Sequence, residues 1–217
     1  MREKITIAIL GGGGRTGKFL IAKLLRHGYS LKLLLRRPEE FLIRHPLMKI
    51  VQGDAADPKA IGNLLKDCHV VISTIGQRPG EPLIASQATM NILNEMKKNK
   101  IRRYVLLAGI NVDTPFDKKG PQTLAATAYM KSNFPVIQED RQKAYALLTS
   151  SGIDWTLVRV PMIEFTTSNG QVTVSVEDCL GSSISAGSIA DFLFKQISDK
   201  RYLRQAPFIA TGRKLDL

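Results

Sequence analysis

Seven residues, Gly11-Gly12-Gly13-Gly14-Arg15-Thr16-Gly17, join an unbroken apolar run, Ile5 to Leu10, to a segment with helical spacing. That segment, Arg15 to His27, repeats Phe19-Leu20, Ala22 and Leu24-Leu25 at helical intervals and ends at Gly28. A run of this kind suits a strand covered on both faces, and the repeat suits an amphipathic helix. The turn between them carries glycines at positions 11, 14 and 17. Glycine accepts positive φ and lets the main chain approach a pyrophosphate without a Cβ clash, while the following helix start offers free amide donors and a positive dipole end. Four glycines in a tight connection are entropically costly, so a merely flexible turn is the weaker reading. The pattern predicts a dinucleotide site at Gly11, Gly14, Arg15, Thr16 and Gly17, with Gly17 packing the helix against the sheet.

The same alternation continues along the chain. Strand-like runs recur at Leu31 to Leu35, Lys49 to Gln52, Val70 to Ser73, Tyr104 to Leu107 and Trp155 to Val160, making six strands. Helical candidates lie at Pro38 to Arg44, Pro58 to Lys66, Pro82 to Asn99 and Gln138 to Ser150, with prolines near three of the starts, where a missing amide proton costs little. Repeated βαβ units with right-handed crossovers predict an α/β fold: a doubly wound parallel sheet of order 3-2-1-4-5-6 between two helical layers, the Rossmann arrangement. At 217 residues the chain is expected to form a single domain, residues 1–217. Beyond Pro161 the pattern weakens to a short strand, Val172 to Val176, and a helix from Ser185 to Gln196, leaving a small substrate-side elaboration around 162–185. The polar stretch from Asn111 to Phe134 has no clear period and reads as a long mobile loop beside the ligand crevice.

No apolar run approaches the ~18 residues of a membrane span, and the apolar stretch after Met1-Arg2-Glu3-Lys4 is too short for a signal peptide and runs into the glycines. Two cysteines, Cys68 and Cys179, give neither a disulfide framework nor metal-ligand spacing, and a cytoplasmic location is expected. The formal charge is +12, yet the basic residues are scattered and lack interleaved aromatics. A solvated basic surface, part of it serving an anionic cofactor, is favoured over a nucleic-acid site; neither nucleic acid nor membrane is expected as a partner.

Cofactor choice turns on the end of the second strand, where an acid would bind a ribose diol and a base would face a 2′-phosphate. The strand ends in Arg36-Arg37, and the nearest acids in sequence, Glu39 and Glu40, follow Pro38. NADPH is therefore favoured over NADH, with Arg15 as a second guanidinium for the same phosphate. Asp54, before Ala55, is placed to accept from the adenine amino group, although read alone it is more often a turn or capping residue. Thr74, Ile75 and Gly76 follow the fourth strand, and small residues there let backbone pass close to the cofactor ribose.

These segments, with Leu33-Leu34-Leu35-Arg36, Gly53-Asp54, Val71-Ile72-Ser73-Thr74-Ile75-Gly76 and Ser151-Gly152-Ile153-Asp154-Trp155-Thr156-Leu157-Val158-Arg159-Val160-Pro161, resemble the atypical short-chain dehydrogenase/reductases with NmrA-like NAD(P)H-binding domains, and among them the flavin-reductase (biliverdin reductase B) members. The resemblance implies NADPH across the strand ends, with the nicotinamide near Ala108, Gly109 and the Pro161-Met162-Ile163 segment. Departures are equally informative. No tyrosine precedes a lysine by four residues, the pair with which short-chain dehydrogenases protonate their substrates. Gly109 stands where the flavin-reductase relatives carry serine, Met162 where they carry histidine, and Arg141 where related members place the active-site lysine. Two functions follow as expectations. One is hydride transfer from NADPH to a flavin, quinone or similar planar small molecule that takes its proton from water. The other is a non-catalytic NADP-binding redox sensor of the NmrA-like type, reporting to a protein partner.

Overall fold

The computed structural model describes residues 5–167 and 170–212; the Met1–Lys4 opening lies outside them, as do the ends of the 1–217 domain expectation. Strands β1 (Thr6–Leu10), β2 (Ser30–Leu35), β3 (Met48–Gln52), β4 (Val70–Ser73), β5 (Arg103–Gly109) and β6 (Asp154–Val160) are mutually parallel in the order β3-β2-β1-β4-β5-β6. The expected 3-2-1-4-5-6 arrangement is present and extended by two more strands, β10 (Phe208–Thr211) beside β6 and β8 (Val172–Ser175) antiparallel at the edge.

Strand periodicity explains why β1 is apolar throughout. Ala8 and Leu10 face one core with Ile61, Leu64, Ile92 and Leu148, while Ile7 and Ile9 face the other with Leu20, Leu24, Ile189 and Leu193. The first core lies under α2 (Pro58–Leu65), α3 (Ala85–Lys98) and α5 (Pro135–Ser150), the second under α1 (Arg15–Arg26) and α6 (Ala186–Lys195), which gives three layers.

Three expectations need correction. The stretch from Asn111 to Phe134 is not one long loop, because α4 (Pro121–Asn133) occupies its second half. That helix buries only Thr123 and Thr127, so it has no apolar stripe for a period to reveal. The expected helix at Pro38 to Arg44 is a single 3-10 turn, Pro38–Glu40. The seven expected strands, with Val172 to Val176 among them as β8, become ten among the described residues: β10 was missed as a short apolar run after Pro207, and β7 (Met162–Glu164) and β9 (Ser183–Ser185) pair with each other in a small second sheet. Thus three short strands, β7, β8 and β9, lie within the 162–185 elaboration, and β7 carries Met162 and Ile163.

Helix α3 lacks a side-chain cap of its own, since Ile84 precedes it. Asp140 on α5 supplies one: Ala85 N–H donates to Oδ2 at 2.8 Å, Ser86 N–H donates to Oδ1 at 3.1 Å, and the Ser86 hydroxyl donates to Oδ1 as well. An ionised acceptor against helix amides is worth about 1.5–3 kcal/mol per bond formed, and Asp140 is buried. Asp140→Asn replaces one acceptor oxygen with an NH2 that opposes an amide donor, and we expect a loss of about 2 kcal/mol. Urea unfolding measures it; an unchanged midpoint would mean that the cap contributes nothing.

Candidate functional site

All six parallel strands present their carboxyl ends at one edge, so the expected residues from β1 to β6 meet there. Gly11 has φ +77°, and a Cβ on it would stand 2.7 Å from the Thr74 carbonyl carbon. The close approach is held by Thr74, whose N–H donates to Leu10 O at 3.0 Å and whose hydroxyl donates to Gly11 O at 3.2 Å. Gly14 N–H returns to Gly11 O at 3.0 Å, closing the turn. Gly14 is the N-cap of α1 with no side-chain capping bond, and no acid occupies the first turn. An uncapped helix start at the end of a glycine cradle leaves amide donors uncommitted to any side-chain cap, and such amides suit a pyrophosphate. The residues present therefore fit a dinucleotide.

Arg36 leaves the end of β2 and forks onto Glu81, with Nη1 donating to Oε2 and Nη2 to Oε1, both at 2.9 Å; Asp54 Oδ2 lies 3.7 Å from Nη1. The hydrogen bond from Arg36 holds the Glu81 carboxyl below its usual range. Glu81 was invisible to an argument from sequence neighbours because it arrives from the loop after β4, 45 residues on. Arg37 pairs with Glu40 at 2.7 Å. Arg15 does not turn toward Arg36: its guanidinium stacks 3.8 Å from the centre of the Phe165 ring, just beyond β7. Asp54 Oδ1 accepts from Ala56 N–H at 2.8 Å, the turn role that its position also allowed. The backbone of that turn is fixed by Asn91 on α3, whose amide donates to Ala55 O and Ala56 O, each at 3.0 Å. Asn91 went unread, although a polar residue in the buried stripe Ala88, Ile92, Met96 was its signal.

Toward β6 the groove continues over Thr74, Ile75 and Gly76, where a Cβ on Gly76 would meet only open space, and then over Ala108 and Gly109. A Cβ on Gly109 would collide with Asn111 Oδ1 and stand 3.3 Å from Arg141 Nη1. Asn111 is locked from both sides: its amide donates to Gln138 Oε1, and Gln138 Nε2 donates to Asn111 O at 2.7 Å. Arg141 Nη1 donates to Asn111 Oδ1 at 3.2 Å. Ile137 precedes Arg141 by one helical turn on α5, so the position for a proton-donating tyrosine is aliphatic. Pro161 follows β6, and Met162 is 73% exposed beside the groove.

A charged pair missed in the sequence supports this floor from beneath. Arg159 has no exposed surface; its Nη1 donates to Asp117 Oδ1 at 2.8 Å and to Val112 O at 2.9 Å, its Nε donates to Ala206 O at 2.8 Å, and its guanidinium carbon lies 3.5 Å from the Phe208 ring centre. An arginine within the apolar strand Trp155 to Val160 was the available signal. Lys119, 3% exposed, adds Asp113 at 2.7 Å and Asp117 at 3.6 Å. Burial works against ionisation of Asp113, but hydrogen bonds from Lys119 and Lys131 outweigh it and hold its carboxyl below the usual range.

Fold and site together define a dinucleotide-binding domain: a glycine cradle at the first βα turn of a doubly wound sheet, with the later strand ends continuing its groove. The match to the NAD(P)H-binding family model runs over residues 11–200, and the chain belongs to that family. An uncharacterized chloroplastic protein of Arabidopsis thaliana is 25% identical over 197 residues, covering 85% of this chain and 69% of that one. A 4-hydroxy-tetrahydrodipicolinate reductase of Acinetobacter baumannii is 38% identical over 69 residues, covering 30% of this chain and 25% of its own length. Among solved structures, a Veillonella parvula short-chain dehydrogenase/reductase in complex with NADP superposes with a TM-score of 0.78 at 16% identity, covering 95% of this chain and 94% of that chain. ChuY, an anaerobilin reductase of Escherichia coli, does so with a TM-score of 0.75 at 16% identity, covering 98% of both. Among the described residues no helix is long and apolar enough to cross a membrane.

Proposed function

We propose that this chain is an NADPH-dependent oxidoreductase whose acceptor is a planar redox molecule, a quinone or a flavin, that draws its proton from water. The carrying observation is a glycine cradle tied to Thr74, in line with a β5 end where the described residues Gly109, Ile137 and Arg141 supply no side-chain acid: Gly109 has no side chain, Ile137 is aliphatic and Arg141 is a permanent cation. When bound, NADPH supplies a hydride from its dihydronicotinamide ring. The chain's part is orientation. Gly11, Gly14, Arg15, Thr16 and Gly17 take the pyrophosphate through backbone amides, Arg36 with Arg37 takes the 2′-phosphate, and Asp54 and Ala55 border the adenine. Thr74, Ile75 and Gly76 line the ribose, while Ala108, Gly109, Arg141, Pro161, Met162 and Ile163 surround the nicotinamide. In this reading residues 1–217 act as one unit, with the 162–185 strands on the acceptor side. Two buried free cysteines suit a reducing compartment such as the cytoplasm.

Purified protein is given NADPH with FMN, riboflavin or a small quinone, and oxidation is followed by absorbance. Turnover well above the protein-free rate is expected. Tight binding without turnover favours the second reading, an NADP-binding sensor with a protein partner, for which the missing proton donor is the supporting observation.

The Arg36–Glu81 fork makes cofactor choice testable. Arg36→Ala should weaken NADPH by about 100-fold and NADH by less than about 3-fold, since a guanidinium–phosphate pair is strong and only NADPH makes one. Glu81→Gln frees Arg36 from its carboxylate and should tighten NADPH severalfold, most at low salt. Equal losses of both cofactors in Arg36→Ala remove the 2′-phosphate assignment.

A further inference from the structure

Arg141 differs from the other partly or fully buried arginines in what it lacks. Arg159 is met by a carboxylate and backbone carbonyls, and Arg103 by the carbonyls of Gln196 and Asp154, with its buried Nη2 left without a partner. Arg141 makes one hydrogen bond to another described residue, Nη1 to the neutral Asn111 Oδ1 at 3.2 Å. Its neighbour Asp140 spends both oxygens on the start of α3. Burial draws the Arg141 guanidinium below its usual pKa, and the charge of Asp140 only partly offsets this. The result is a partly buried cation with most of its five donors uncommitted and none of those nitrogens sealed from solvent, held at the end of β5 through Asn111, which the Gln138 pair fixes. Asn111 Oδ1 fills the space that a side chain at Gly109 would need, so position 109 places no hydroxyl beside Arg141.

We propose that Arg141 serves the acceptor: its free N–H groups stabilise the negative charge that a quinone or isoalloxazine acquires on receiving the hydride, so that no proton need arrive in the same step. This rests on the oxidoreductase reading and names its acceptor class. The C4–H bond of the dihydronicotinamide breaks, and the hydride pair forms the new bond at a quinone oxygen or at flavin N5. The displaced pair comes to rest on the second quinone oxygen or at flavin N1, as an anion facing Arg141; NADP+ remains, and water protonates the anion afterwards. A preorganised donor aimed at developing charge accounts for about 100- to 1,000-fold in rate. A substrate whose reduction demands a proton in the same step, such as an unactivated ketone, gains little from such a group.

Two measurements test the assignment, one of them without turnover. In the first, 4-nitrophenol is titrated by absorbance against the complex with NADP+, as a stable stand-in for the anion. Wild type is expected to bind the phenolate at least tenfold more tightly than the phenol, Arg141→Lys to keep most of that preference, and Arg141→Gln to lose it. In the second, Arg141→Gln lowers kcat with a small quinone by about 100-fold while the NADPH Kd moves by less than about threefold. Urea midpoints and near-ultraviolet circular dichroism of both variants establish that they are folded. No phenolate preference in wild type overturns the proposal, as does an Arg141→Gln variant whose NADPH affinity falls as far as its kcat; the latter assigns Arg141 to the cofactor ribose. Failure of NADP+ itself to bind overturns the oxidoreductase reading instead.

Discussion

Gly17→Ala is expected to lose both stability and cofactor. A Cβ at this position would stand 2.8 Å from Gly12 Cα and 3.0 Å from the Gly11 carbonyl carbon, and would overlap the Gly11 oxygen outright. All three obstacles are backbone, so no side chain can swing aside to relieve them. Gly11 is itself confined, with φ +77° and Thr74 against its Cα, and its oxygen accepts from Gly14 N–H and the Thr74 hydroxyl. Helix α1 must move off the sheet, which disturbs the Leu20 and Leu24 packing beneath it. Overpacking of this kind costs about 1–3 kcal/mol, and more where the neighbours are rigid; we expect about 3 kcal/mol in urea unfolding. NADPH affinity should fall by about 100-fold or more, because displacement of the helix start misaligns the amides proposed to take the pyrophosphate. Gly76→Ala is the control: open space surrounds that Cβ, so stability should stay within about 0.5 kcal/mol while the added methyl obstructs the groove. A Gly17→Ala protein with wild-type stability and NADPH affinity would show that the cradle is not where the cofactor sits.

The second large effect belongs to Arg159 and Asp117. Asp117→Asn leaves a fully buried guanidinium, stacked on Phe208, without its counter-charge. Removing one partner of such a pair costs about 3–5 kcal/mol, since the remaining ion cannot return to water. Arg159→Met preserves volume but gives up the bonds to Val112 O and Ala206 O, and a cost of similar size is expected. The double variant should lose markedly less stability than the two single losses added together, because no uncompensated Arg159 cation remains. Urea denaturation of the four proteins decides the matter. Strictly additive losses, or single variants within about 1 kcal/mol of wild type, would mean that the pair does not hold the Val112–Asp117 segment to β6. Firm support there matters for the proposed function because that segment continues directly from Gly109 and Asn111, the floor of the proposed nicotinamide position.

The sequence by itself determined the architecture and the cradle, because both are written in local patterns. Ile5 to Leu10 alternates between two buried faces, and glycines at 11, 14 and 17 answer a backbone requirement that no distant residue can satisfy. Strand order followed from right-handed crossovers between such units. Helix α4 escaped because Thr123 and Thr127 are all that it buries, and β7, β9 and β10 escaped because three or four residues carry too little periodicity. Only the tertiary structure decided which charges meet. Glu81 reaches Arg36 across 45 residues, Asp117 reaches Arg159 across 42, Asn91 fixes the Ala55 turn across 36, and Phe165 rather than a phosphate pocket receives Arg15. Hydrophobic periodicity reports which face of an element is buried and so survives in one dimension. An ion pair or a polar clamp depends on two side chains being brought to about 3 Å, and nothing in the spacing of either partner along the chain encodes that meeting.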